Sequence, residues 1–157
     1  GAFGDAVFYG NVNSTHVGGT HMMNGIGGSG DFARNAAYAV FATKSVAKDG
    51  RISSIVPMVP HCDHNEHDVD IVVTERGLAN LTGLAPRERA MSVIQHCAHP
   101  LYRDLLRDYC RDAAALGGHT PHRLDQAFSF HARFAASGSM LLEAVARGSC
   151  CIAKAND

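Results

Sequence analysis

The chain has 157 residues, of which 46% are hydrophobic and 18% charged, with 16 glycines, a composition that fits a folded globular domain and excludes a disordered or fibrous one. Lys and Arg number 14 against 15 Asp and Glu, for a net charge of −1, so no general field draws the chain to nucleic acid or to an anionic membrane, and an anion has to be bound locally. No apolar run approaches the roughly 20 residues of a membrane-spanning helix, and five cysteines without a CxxC spacing fit a reducing compartment better than a disulfide framework.

The chain starts at Gly1 rather than Met, and its first residues read as an element entered partway, so the expectation is a piece of a longer polypeptide. Ala6-Val7-Phe8-Tyr9 predicts a strand ending at Gly10, followed by a glycine- and asparagine-rich loop through Gly30. Asn13-Ser14-Thr15 and Asn80-Leu81-Thr82 match the glycosylation triplet, which is common by chance, and both are set aside. Asp31 suits the start of an alanine-rich helix over Phe32 to about Thr43, and Asp49-Gly50 predicts a turn. Arg51 to Met58 and Asp70-Ile71-Val72-Val73-Thr74 read as parallel strands.

Pro86 opens a helix to about Gln95, and a second helix follows His99-Pro100 with Leu101, Leu105 and Tyr109 at four-residue spacing. A further helix is expected from Thr120-Pro121, with Leu124, Phe128, His131 and Phe134 as its apolar stripe, then a break at Gly138 and a short helix around Leu141 to Ala146. On that stripe His131 reads as a buried core histidine. Strands alternating with helices indicate an α/β layer structure, with a tail at 148–157.

The most informative segment is Met22 to Phe32, in which Gly25, Gly27, Gly28 and Gly30 precede a helix. Without Cβ atoms, such a backbone can approach a ligand and turn its N–H groups toward an anion or a developing oxyanion. It is not a P-loop, because no Lys-Ser or Lys-Thr follows the last glycine. A ligand-binding loop and a structural turn both remain open on the local pattern.

The strings GNVNSTHVGGTHMMNGIGGSGDFARNA, RISSIVPMVPHCDH, VVTERGLANLTGLAPRERA and CAHPLYRDLLRDY resemble the C-terminal domain of the acetyl-CoA hydrolase/transferase family. Within it, they are most like the succinyl-CoA:acetate and propionyl-CoA:succinate CoA-transferases. The resemblance covers roughly residues 5 to 142 and implies an α/β fold of the CoA-transferase type, NagB/RpiA-like, with a mainly parallel sheet flanked by helices. Residues 1–147 would then be the C-terminal CoA-transferase domain of a two-domain enzyme that moves CoA between a short-chain acyl-CoA and a carboxylate through a glutamyl-CoA thioester.

The resemblance implies that coenzyme A is bound as a substrate without a metal, and that Asn24, Gly27, Gly28 and Lys48 contact it. The Gly28 N–H would also serve as an oxyanion donor. It implies as partners a missing N-terminal domain that carries the nucleophilic glutamate and a second copy in a homodimer. The expected location is cytoplasmic, or mitochondrial in a eukaryote. None of the four glutamates, Glu66, Glu75, Glu88 and Glu143, matches the nucleophile segment. Glu75 reads as a carboxylate that caps or pairs near a strand end. Ala85 departs from the family where a capping Ser or Thr is usual, and the Cys150-Cys151 tail has no counterpart there.

Two alternatives stand beside this reading. Hydrolysis uses the same loop with water as acceptor. A metal-stabilised interaction module is suggested by His61-Cys62-Asp63-His64-Asn65-Glu66-His67-Asp68, although zinc ligands usually come from separated segments. Here His61 and His64 read as surface histidines, or as residues shaping an acyl pocket.

Overall fold

A computed structural model describes residues 5–142. Most of the helix expected around Leu141 to Ala146, together with Glu143, Cys150, Cys151 and the tail at 148–157, lies outside the described residues. The architecture is mixed α/β. β1 (Asp5–Val7) lies between β2 (Val12–Asn13), antiparallel, and β8 (Ile55–Val56), parallel, with Ala6 opposite both Val12 and Ile55.

β3 (His16–Val17) and β4 (His21–Met22) form a two-stranded ribbon that leads into α1 (Ser29–Asn35). β5 (Val40–Ala42) pairs with β9 (Ile71–Thr74) in parallel, and β10 (Gly77–Asn80) folds back on β9. A second ribbon joins β6 (Val46–Ala47) and β7 (Ile52–Ser53). The helical part is α2 (Pro86–His96), α3 (Pro100–Ala114) and α4 (Ser129–Ser137).

Three expectations need correction. The sheet is not mainly parallel: among the described residues two strand pairings are parallel and four antiparallel, because short connections make hairpins, whereas parallel neighbours need a crossover. The helix expected over 32–43 ends at Asn35, and Ala36 is already extended at ψ 149°. Beyond it Asp70 Oδ2 accepts the Ala39 N–H at 2.8 Å and Phe41 buries its ring at 3% exposure, so sheet pairing overrides the alanine-rich helix propensity.

The helix expected from Thr120-Pro121 begins only at Ser129. Residues 121–123 are held as irregular chain, with Tyr9 OH donating to Pro121 O at 2.7 Å and Arg123 N–H donating to Tyr109 Oη at 3.1 Å. Leu124 is 83% exposed and so belongs to no stripe.

The core is one cluster in which Phe8, Tyr9, Ile55, Val72, Leu81, Ile94, Tyr102 and Leu106 are buried, each such side chain contributing roughly 1.5–3 kcal/mol relative to exposure. The C-terminal end of α2 approaches β10 so closely that a Cβ on Gly77, at φ +154°, would stand 2.9 Å from His96 O. At the other end of α2, Ala85 has no side-chain acceptor to cap with, and Glu88 Oε2 takes the Ala85 N–H at 2.8 Å instead.

Candidate functional site

β4 delivers the chain into the glycine loop, whose start is tied to the β2–β3 corner by Met23 N–H to Thr15 O at 2.8 Å and Asn24 N–H to Thr15 O at 3.4 Å. Its end is closed by Ser29, whose hydroxyl donates to Ile26 O at 2.8 Å. Between these ties residues 21–28 are all exposed. Gly27 is left-handed at φ +58°, and Gly28 follows at φ −85°, ψ 5°. That alternation turns successive N–H groups toward one side. The described residues provide no hydrogen-bond partner for the N–H of Gly27 or Gly28.

Only Gly27 needs to be glycine for its backbone. A Cβ on Gly28 would meet Phe32 Cε2 at 3.3 Å, and that ring is 78% exposed and able to move aside. The fold therefore tolerates a side chain at Gly28 but leaves its amide open.

Lys48 stands elsewhere, at φ +49° in the β6–β7 turn, with Nζ 5.1 Å from the centroid of the Phe134 ring. It borders a cavity of about 650 Å³ with His16, Gly18, Asp49, Ser53 and His131. Asn24, Gly27 and Gly28 are not among the residues lining that cavity. The structure thus groups the three loop residues and separates Lys48 from them. β3 connects the two places, since His16 and Val17 line the cavity and the ribbon runs on into the loop.

Beneath these surfaces lies a buried polar network. Asp5 sits 3.0 Å from His131 Nε2 and also accepts a short hydrogen bond from Asn13 Nδ2. Asn13 is 0% exposed and its Oδ1 accepts the His16 N–H at 2.9 Å, which leaves no room for a glycan. Asp63 accepts from Ser14 N–H at 2.8 Å, Thr15 N–H at 3.0 Å and Thr15 Oγ1 at 2.8 Å, with His61 Nε2 at 3.2 Å. Burial pushes the Asp63 carboxyl upward, but these hydrogen bonds outweigh it and hold the group below the usual carboxylate range.

His131 is the core histidine expected, with an acid partner that sequence spacing did not show. His64, read as a surface or pocket histidine, is 1% exposed, and burial pushes its pKa down. Glu75 is a pairing carboxylate near a strand end as expected: Oε2 accepts the Ser45 N–H at 2.7 Å, Oε1 accepts a short bond from Ser45 Oγ, and Arg76 Nε is 3.3 Å away.

Among the described residues no three His, Cys, Asp or Glu side chains gather as a metal site. Asn13 and Thr15 were legible only as a glycosylation triplet. The signal that points to them is their burial as polar residues, which requires partners.

The family model for the acetyl-CoA hydrolase/transferase C-terminal domain matches residues 5–110. A succinyl-CoA:acetate CoA-transferase of Clostridium kluyveri is 60% identical over 133 residues, covering 84% of this chain and 25% of that protein. An acetyl-CoA hydrolase of Candida glabrata is 48% identical over 148 residues, covering 88% of this chain and 28% of the relative. Among solved structures, RipA from Yersinia pestis superposes with a TM-score of 0.64 at 34% identity, covering 71% of this chain and 26% of that one. The chain thus spans about a quarter of the length of the relatives it matches. It belongs to the acetyl-CoA hydrolase/transferase family and carries that family's C-terminal domain.

Proposed function

We propose that the chain is the CoA-binding C-terminal part of a carboxylate CoA-transferase, with a fold of the NagB/RpiA-like CoA-transferase type. The observation that carries this is the exposed Gly27–Gly28 turn, whose N–H groups have no partner among the described residues. Two such donors suit the oxyanion that forms when a thioester carbonyl is attacked. Gly28 N–H is that donor in this reading, and Asn24 and Gly27 contact the same ligand. Lys48 meets a phosphate of CoA at the neighbouring cavity.

A glutamate in a preceding domain attacks the acyl-CoA and forms an acyl-glutamyl anhydride, with CoA thiolate leaving. The thiolate returns to the glutamyl carbonyl, giving glutamyl-CoA and free carboxylate, and the acceptor carboxylate takes up the CoA by the reverse steps. The acting protein is a homodimer in a reducing compartment, cytoplasmic or mitochondrial.

The test compares the 157-residue chain with the full-length enzyme, using acetyl-CoA plus succinate and succinyl-CoA plus acetate. The chain alone is expected to show no turnover above background, since a placed nucleophile is required. Turnover by the chain alone, or a borohydride-trapped adduct on Glu66, Glu75, Glu88 or Glu143, would overturn the assignment.

Hydrolysis is the second reading, favoured by the hydrolase name of the relative at 48% identity. A full-length enzyme whose CoA release is unchanged by added carboxylate acceptor is a hydrolase. One that forms the acceptor's thioester is a transferase.

A further inference from the structure

Ser29 opens α1 directly after the glycine loop, and its hydroxyl meets two groups: Ile26 O at 2.8 Å and His64 Nε2 at 3.2 Å. A carbonyl only accepts, and a hydroxyl has one hydrogen, so Ser29 donates to Ile26 and accepts from His64. The proton of the neutral ring is thereby placed on Nε2. Nδ1 is left as a lone pair, which explains why this atom is buried without a partner among the described residues. A buried N–H without a partner is the rarer case in folded proteins.

The histidine itself is rigid. Its ring lies 4.8 Å from the Phe41 ring centroid, and its backbone is clamped to β2 by Val12 N–H to His64 O at 2.8 Å and His64 N–H to Val12 O at 3.1 Å. The charged groups around it are Asp63, Asp68 and Arg34. Among the described residues, the Ser29–His64 contact is the hydrogen bond that joins the two ties to Thr15 O in fastening the loop to the packed interior.

We propose that His64 is a positioning residue for the glycine loop: its Nε2–H holds the Ser29 hydroxyl, which in turn holds Ile26 and sets the Gly27–Gly28 turn. The consequence for catalysis rests on the reading of that turn as the oxyanion donor. Glutamine and asparagine separate this role from packing, because the Gln amide nitrogen reaches the place of Nε2 and the Asn nitrogen that of Nδ1.

In the full-length enzyme, hydrogen exchange of peptides covering residues 23–32 is measured for wild type, His64→Phe, His64→Asn, His64→Gln and Ser29→Ala. Exchange about tenfold faster is expected in the Phe, Asn and Ser29→Ala variants, with His64→Gln within about threefold of wild type. In the same three variants kcat should fall about tenfold while KM for acyl-CoA stays within about threefold.

Ser29→Ala lies at the partly exposed end of the contact, so it decides the matter even if His64→Phe fails to fold. Unchanged exchange in Ser29→Ala, or a Gln variant as loose as Asn, overturns the proposal. A loosened loop with unchanged kcat supports the strut and removes the catalytic reading of the loop instead.

Discussion

The glycine loop and the α2–α3 end of the molecule are built on opposite terms. Residues 21–28 are exposed throughout and present open backbone to a ligand, whereas α2 packs on β10 and α3 on α2, with Val93, Ile94, Tyr102 and Leu106 completely buried. The first region has open N–H groups and little packing; the second is dominated by packing. Substitutions in the loop should therefore register in turnover and those near β10 in stability, because preorganised donors act on the transition state while packing acts on the folded state.

The largest effect that tests this division is Gly28→Val in the full-length enzyme. Its kcat should drop on the order of 100-fold or more, with a thermal midpoint close to wild type, since only the mobile Phe32 ring is in the way. An active Gly28→Val enzyme would remove the oxyanion role.

Next comes Lys48→Ala, expected to weaken acyl-CoA binding by about 1.5–3 kcal/mol, the range for a charge-assisted contact, and to be read as a raised KM at low salt. An unchanged KM would mean that Lys48 serves only its contact with the Phe134 ring.

Gly77→Ala probes the opposite region. The added methyl would meet backbone rather than a movable side chain, and the cost should be about 1–3 kcal/mol, measured by urea unfolding, with kcat at permissive temperature unaltered. A wild-type midpoint would show that α2 can shift away from β10.

A smaller, graded effect is expected with pH. Burial lowers the pKa of His64, His99 and His122. Above about pH 6.5, the ordinary histidine value, these rings are neutral in both folded and unfolded chain and add no pH dependence. As pH falls below that value the unfolded chain takes up protons that the folded chain refuses, so stability declines until the lowered folded values are reached. The urea midpoint should be lower at pH 5.5 than at pH 7.5, and His64→Gln should flatten the slope. A midpoint that rises on acidification contradicts this assignment.

Much of the helical part was legible because periodicity and punctuation agreed: Pro86 and Pro100 open α2 and α3 where expected, and Gly138 closes α4 in the left-handed conformation. The strand at 71–74 was also legible and does pair in parallel, with β5, whereas the segment expected as one parallel strand over 51–58 is split: β8 pairs in parallel with β1, but β7 turns back antiparallel on β6. What sequence spacing did not carry was decided by distant partners. Residues 36–42 are alanine-rich and favour helix by local propensity, yet Asp70 holds Ala39 extended and β9 draws Val40–Ala42 into a sheet.

The same holds for the site. The glycine loop was visible as composition, whereas the roles of Asp63, His64 and Asn13 depend on side chains they meet only in the folded chain. The assignments of Asn24, Gly27, Gly28 and Lys48 to CoA rest on family resemblance; geometry adds the grouping and exposure of the three loop residues and sets Lys48 apart at the neighbouring cavity.

The turn that carries Lys48 has a consequence for the thermodynamics of binding. Lys48, Asp49 and Gly50 all have positive φ, and the turn is held from behind: Tyr102 OH donates to Gly50 O at 2.7 Å and Met140 N–H to Arg51 O at 2.8 Å. The main chain at this lysine is therefore already ordered before any anion arrives. A phosphate bound at Lys48 as proposed would have to immobilise one flexible side chain and not a loop, which would confine the entropic cost of the contact to the rotamers of Lys48. Loosening Tyr102, by Tyr102→Phe, would add backbone disorder to that cost from a helix remote in sequence.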